Sequence, residues 1–302
     1  MDAVERAWIE RFLSHLANER RMSVHTIAAY GHDLRTLVKF CDSRGLARWK
    51  ALGNLQLRTF AAALHGAGLS PRSIQRRLSA ARTFFEFLMR EAALQRNPAV
   101  DVRAPKTKRR LPATLDADQM GRLLAFRVDD SLSARDKAIM ELFYSSGLRL
   151  AELVSLDLAA VDLHDRTVRV LGKGGKTRIV PMGRQAIDAL KVWLLHRGAI
   201  IGAAETEALF VGQTGRRLTA RAVQLRVDTW ARRQGIATHV SPHMFRHSCA
   251  THLLESSRDL RGVQELLGHT DIGTTQIYTH LDFQHLASVY EASHPRARRR
   301  PG

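Results

Sequence analysis

Cysteine is scarce: Cys41 and Cys249 are the only two in 302 residues, far apart and in no CxxC pair. That excludes a disulfide framework and suits a reducing compartment. No apolar run approaches the ~18 residues needed to span a bilayer. The opening Met1-Asp2-Ala3-Val4-Glu5-Arg6 lacks the basic and apolar regions of a secretory signal. A cytoplasmic protein with no membrane partner is therefore expected. No segment of about 20–50 residues repeats, which argues against a repeat array. Acid is also in short supply, with 29 Asp and Glu against 47 Lys and Arg and a formal net charge of +18. Such a balance calls for a polyanionic partner, nucleic acid first. At 45% hydrophobic and 25% charged residues, the chain is a folded basic protein and not a disordered tail. Its length suggests about two domains, each able to bury a core.

The first hundred residues read as four helices. Trp8, Ile9, Phe12, Leu13 and Leu16 recur at helical spacing. A second helix starts at Ser23, carries Ile27, Tyr30, Leu34, Leu37 and Val38, and stops at Gly45. A third lies near 55–64. The fourth opens on Ser70-Pro71, a cap followed by proline in the first turn, and its polar face carries Arg72, Arg76, Arg77 and Arg82. Arg72, Arg76 and Arg221 are candidate DNA contacts. After Asn97-Pro98 comes a proline-bounded basic stretch with neither helical nor strand period. It divides the chain into a domain at 1–104, a linker at 105–112 and a second domain at 113–302.

The second domain starts helical, with an Asp116-x-x-Gln119 capping box and a helix capped by Ser133 that ends at Ser146-Gly147. Two β-branched runs, 167–171 and 177–180, flank Gly172-Lys173-Gly174-Gly175-Lys176 and read as a hairpin. A third strand is expected at 208–211. Helices are expected at 184–196, 220–234, 242–256, 259–267, 274–280 and 283–292. The fold class expected is mainly α with a small β-sheet (α+β).

Two familiar chemistries fail on spacing. Gly175-Lys176-Thr177 matches the end of a phosphate-binding loop, but residue 170, where the first glycine belongs, is valine, and the segment joins two strands. His243 and His247 have the i, i+4 spacing of zinc ligands, yet no Glu follows His243 and Arg246 lies between the two histidines. On the same helix His243 and Arg246, three apart, pair a proton-transfer group with a bidentate phosphate clamp. That combination suits phosphoryl transfer, and it gains weight from the ordered segments Gly147-Leu148-Arg149-Leu150-Ala151-Glu152, Gly172-Lys173-Gly174, His243-x-x-Arg246, Leu267-Gly268-His269 and Tyr278.

Those ordered segments resemble the tyrosine recombinases of the phage integrase type over nearly the whole chain. Thr275-Gln276-Ile277-Tyr278-Thr279-His280-Leu281-Asp282 resembles the Xer branch of that family. The resemblance implies an N-terminal helical core-binding domain and a C-terminal catalytic domain that together clamp duplex DNA. It makes Tyr278 the nucleophile that forms a 3′-phosphotyrosyl bond, with His243 accepting the phenol proton. Arg149, Arg246 and His269 would then bind the non-bridging oxygens, and Lys173, on its glycine-rich hairpin, would act as general acid. Glu152, three residues after Arg149, would orient that guanidinium. Because the phosphotyrosine conserves the ester, neither ATP, metal nor another cofactor is expected.

The expected partners are a double-stranded recombination site, a XerD-like recombinase in a cyclic heterotetramer, and a DNA translocase of the division septum. The role implied is resolution of chromosome or plasmid dimers. The stripe Phe283, Leu286, Ala287 and Tyr290 would dock on the neighbouring protomer, ahead of the basic stretch 294–300. Phe245 and Cys249 depart from the family's usual Leu and Phe, at i, i+4, and read as a compensated packing swap. Other readings are a phage-type integrase, a type IB topoisomerase, which relaxes supercoils without a defined tetramer, and a non-catalytic DNA-binding protein indifferent to loss of Tyr278.

Overall fold

Helix signals and their caps build the first part of the chain. In the computed structural model, which describes residues 1–106, 114–172, 175, 177–201 and 206–257, α1 (Ala3–Asn18) starts at Asp2, whose carboxylate accepts from the Glu5 N–H. α2 (Val24–Ser43) starts at Ser23, whose hydroxyl accepts from the Thr26 N–H. α3 is Asn54–Gly66. α4 (Pro71–Arg90) opens on Ser70 with proline in its first turn. The chain leaves α2 through Gly45 at φ 67°, a left-handed conformation that glycine adopts without strain.

The four apolar faces meet in one core that includes Phe12, Leu34, Leu37, Phe60, Phe84, Phe85 and Leu88. Trp49 lies edge-on to Phe84 at 4.9 Å between ring centroids, and its indole N–H donates to the Glu5 carbonyl at 2.7 Å. Arg82, expected on the basic polar face of α4, instead donates to the carbonyls of Ala99 and Val102, both at 3.3 Å. It closes the end of this core.

The chain divides into two compact units, Met1–Arg109 and Arg110–Gly302. Residues 107–112 of the expected linker, the helices expected at 259–267, 274–280 and 283–292, the stripe from Phe283 to Tyr290 and the basic stretch 294–300 lie outside the described residues.

In the second unit α5 (Ala117–Leu123) opens on the Asp116/Gln119 capping box. α6 (Ser131–Ser146) is the buried axis of the unit and ends at Gly147 in the left-handed region. Its N-cap is Asp130 and not Ser133. The Asp130 carboxylate accepts from the Ser133 N–H at 2.6 Å, and the Ser133 hydroxyl accepts from the Asp130 N–H at 2.9 Å. Both residue types cap helices, and here they do so reciprocally, three residues earlier than expected.

α7 is Leu150–Val154. β1 (Val161–Asp162), β2 (Thr167–Leu171) and β3 (Thr177–Pro181) form an antiparallel meander in the order β1-β2-β3, with Leu171 opposite Thr177 at the hairpin end. The third strand of this sheet is β1, whereas 208–211 makes only isolated bridges, Asp157 to Ala208 and Val211 to Arg217. Side chains take the carbonyls of that segment. Arg197 donates to Thr206 and Ala208, the Trp193 indole to Leu209, and Arg135 to Val211. A ladder therefore has few acceptors left there.

α8 (Arg184–Ile201) runs past the expected stop at 196, anchored by buried Arg197. α9 (Ala220–Arg233) and α10 (Pro242–Ser257) complete the described part. Phe245 and Cys249 are both fully buried on α10. Phe245 packs on Phe143 with ring centroids 5.9 Å apart, and the Cys249 sulfur lies 3.9 Å from the Ser145 carbonyl, so both face α6.

Candidate functional site

The turn from α6 into α7 determines where Arg149 stands. Gly147 reverses the chain at φ 57°, Leu148 buries itself completely, and Arg149 becomes the N-cap of α7. Glu152, in the first turn of α7, is 4% exposed. Its Oε2 accepts from the Arg149 backbone N–H at 2.8 Å and its Oε1 from the Arg149 guanidinium at 2.8 Å. Arg178 on β3 completes the set with a bidentate grip, donating to Oε1 at 2.7 Å and Oε2 at 2.9 Å. From α10, Arg246 donates to the Gly147 carbonyl at 2.5 Å. Three elements thus bring guanidiniums to one turn.

Electrostatics follow from that gathering. Burial alone would raise the Glu152 carboxyl, but the hydrogen bonds from Arg178 and from Arg149 carry it down to about 2. Arg246 is lowered to about 10, first by burial and then by the positive charges of Arg149 and Arg178. Three cations against one carboxylate leave an excess of two positive charges in a partly desolvated place. There a planar donor is worth more to an anion than it is in water. The arrangement suits the non-bridging oxygens of a phosphodiester.

His243 is in the first turn of α10, exposed and three residues before Arg246. His247 is exposed too, and its pKa is lowered by partial burial and by the neighbouring His243 and Arg246. Among the described residues no third His, Cys, Asp or Glu joins these two in a metal-binding group. Of the six residues expected to carry the chemistry, Arg149 and Arg246 are therefore brought to one turn, and His243 shares a helix with the latter. Lys173, His269 and Tyr278 lie outside the described residues.

Arg178 was not foreseen. Its signal is the period-2 pattern of β3, in which Arg178 and buried Val180 share a face while Thr177 and Ile179 are exposed. A guanidinium on the inward face of a strand needs a carboxylate partner. Of the candidate DNA contacts, Arg72 and Arg221 are exposed, whereas Arg76 is half exposed and paired with buried Asp33 at 2.5 Å.

Known proteins carry the same organisation. Residues 113–285 match the Phage integrase family, and residues 9–92 match the phage integrase N-terminal SAM-like domain. The chain is 53% identical over 295 residues to the tyrosine recombinase XerC of Pseudomonas entomophila (strain L48), covering 97% of this chain and 98% of that protein. It is also 53% identical over 296 residues to the XerC of Pseudomonas aeruginosa PAO1, covering 98% and 97%.

Among solved structures, the XerH site-specific recombinase bound to its difH substrate before cleavage is similar at a TM-score of 0.67 and 25% identity, covering 93% of this chain and 82% of that one. A lambda integrase dimer bound to a core site shares the fold at a TM-score of 0.67 and 19% identity, covering 90% and 99%. No helix among the described residues is long and apolar enough to cross a membrane. With both domains matched and relatives at half identity over nearly the full length, the chain belongs to the phage integrase family and is a site-specific tyrosine recombinase, an enzyme that cuts and rejoins DNA.

Proposed function

We propose that this recombinase works without metal or ATP through Arg149, Lys173, His243, Arg246, His269 and Tyr278. The Tyr278 oxygen attacks the scissile phosphorus while its proton passes to His243. A phenol with a pKa of about 10 needs such an acceptor at neutral pH. Charge gathers on the two non-bridging oxygens, which Arg149 and Arg246 bind and His269 bonds further. The bond to the 5′-oxygen breaks, and Lys173 supplies the proton that oxygen takes up. The 3′-phosphotyrosyl ester is then attacked by a 5′-hydroxyl of another strand, and the same groups run in reverse.

The N-terminal unit binds the duplex through exposed basic residues of α4. A XerD-like recombinase completes a cyclic heterotetramer in the cytoplasm, a septal translocase acts on the assembly, and the outcome is resolution of chromosome or plasmid dimers.

The observation that supports this reading most is the convergence of Arg149 and Arg246 on the Gly147 turn. Its test is a covalent trap: the protein, with and without a XerD-type partner, is incubated on nicked candidate-site DNA, denatured and resolved. A protein–DNA adduct unaffected by chelator and lost in Tyr278→Phe is expected. An adduct that survives Tyr278→Phe, or none on a tightly bound site with the partner present, would overturn the reading. Supercoil relaxation without synapsis would move it to a type IB topoisomerase.

A further inference from the structure

Glu152 is at once an asset and a hazard. Three residues from Arg149, it steers that guanidinium, but a nearly buried carboxylate with Arg149 as its sole counter-charge would cancel the positive charge a phosphodiester must meet. The second arginine resolves this. Each oxygen of Glu152 accepts two hydrogen bonds, and one of each pair comes from Arg178. The carboxylate's charge is thereby matched by a residue other than Arg149, and Arg149 gives it one guanidinium bond and its backbone N–H.

Arg178 also stands at a junction. It follows Thr177, which pairs with Leu171 at the last rung of the β2–β3 ladder before the glycine-rich tip of residues 172–176. Its grip on Glu152 therefore fixes the base of that tip to the first turn of α7.

We propose that Arg178 is a positioning residue of the recombination reaction: by taking both oxygens of Glu152 it keeps that carboxylate from neutralising Arg149, and it ties the hairpin that carries Lys173 to the N-cap where Arg149 stands. This rests on the assignment of Arg149 and Lys173 made above. Arg178 need not touch DNA. Its removal leaves Arg149 as the closest counter-charge of a buried carboxylate, and it frees the hairpin base.

The experiment is single-turnover cleavage of a nicked site, with DNA affinity measured in parallel. Arg178→Met is expected to slow cleavage by ~10–100-fold, the scale of a misplaced reacting group, while affinity stays within about threefold. The decisive arm is Glu152→Gln in the Arg178→Met background, which removes the unmatched charge and is expected to cleave at least ~5-fold faster than Arg178→Met alone, a non-additive rescue. A residue that merely packs gives a double variant no better than Arg178→Met. That result, or an Arg178→Met enzyme that cleaves normally, or an affinity loss equal to the cleavage loss, overturns the proposal. Arg178→Lys keeps the cation but not the fork. If Arg178→Met does not fold, Arg178→Gln, which is also uncharged but polar, takes its place with the same rescue expected.

Stability on acidification is read independently of cleavage. With Arg178 replaced, the Glu152 carboxyl is depressed less, so less stability should be lost between about pH 4.5 and pH 2 than in the parent, and an unchanged acid limb overturns the tie itself. If the parent forms no Tyr278 adduct while the acid limb still moves, the catalytic assignment has failed and the tie has not.

Discussion

Asp33 and Glu152 are buried carboxylates held by arginines, one in each unit, and they are held in different ways. Asp33 on α2 is 2% exposed and takes Arg76 at 2.5 Å, but Arg77 stays 3.5 Å away. One Asp33 oxygen has no hydrogen-bond partner, and the Nε atoms of Arg77 and Arg178 are alike in lacking one, so the two sites differ at the carboxylate. Both oxygens of Glu152 are doubly bonded, at 2.7–2.9 Å. The helical unit uses its ion pair as a latch between α2 and α4, and a latch tolerates an unmatched oxygen because the surrounding apolar core sets the geometry. Around Glu152 the geometry of the guanidiniums is itself the product, so the carboxylate is fully coordinated. Between these two carboxylates it is the completeness of hydrogen bonding, and not burial, that differs.

The largest effect expected from breaking this contrast is at Glu152. Glu152→Ala leaves guanidiniums of Arg149 and Arg178 without their shared acceptor, and breaking a buried pair in this way costs about 3–5 kcal/mol; denaturant unfolding of the full chain checks it. Acid titration sharpens the point. The folded carboxyl lies near 2, below its ordinary 4.5, so its contribution is complete above about pH 4.5 and is lost as pH falls towards 2. The amount is on the order of 3 kcal/mol, and Glu152→Gln should remove that acid limb.

Asp33→Ala should cost less, about 1–3 kcal/mol, because half-exposed Arg76 returns to water and only Arg77, 14% exposed, stays buried without a counter-charge. Equal losses at the two positions would end the contrast.

The described helices of both units and the β2–β3 hairpin were legible because periodicity and caps are local signals, whereas Arg149 and Arg246, far apart in sequence, were grouped only by the family resemblance. What escaped depends on contacts distant in sequence. Arg178 reads as one more basic residue until β3 is laid beside α7, 26 positions away from Glu152. The segment 208–211 has the composition of a strand, but Arg197, Trp193 and Arg135 claim its carbonyls from α8 and α6. Arg76 and Arg82 look like phosphate ligands until their partners, Asp33 and the carbonyls after α4, come into view.

The smallest effect lies on the apolar side of α10, behind Arg246, where hydrogen bonding plays almost no part and the contrast reduces to volume. Phe245 and Cys249 are one turn apart, both are fully buried, and both meet α6, through Phe143 and Ser145. A smaller side chain at 245 opens space beside the place that a larger one at 249 needs. Phe245→Leu alone leaves a cavity, and Cys249→Phe alone overpacks by about 1–3 kcal/mol. If the two positions share one volume, the double variant should be less destabilised than the sum of the single changes by roughly 1 kcal/mol. A thermal-unfolding double-mutant cycle measures this directly, and strict additivity would mean that the two residues pack against α6 independently and that the swap compensates nothing.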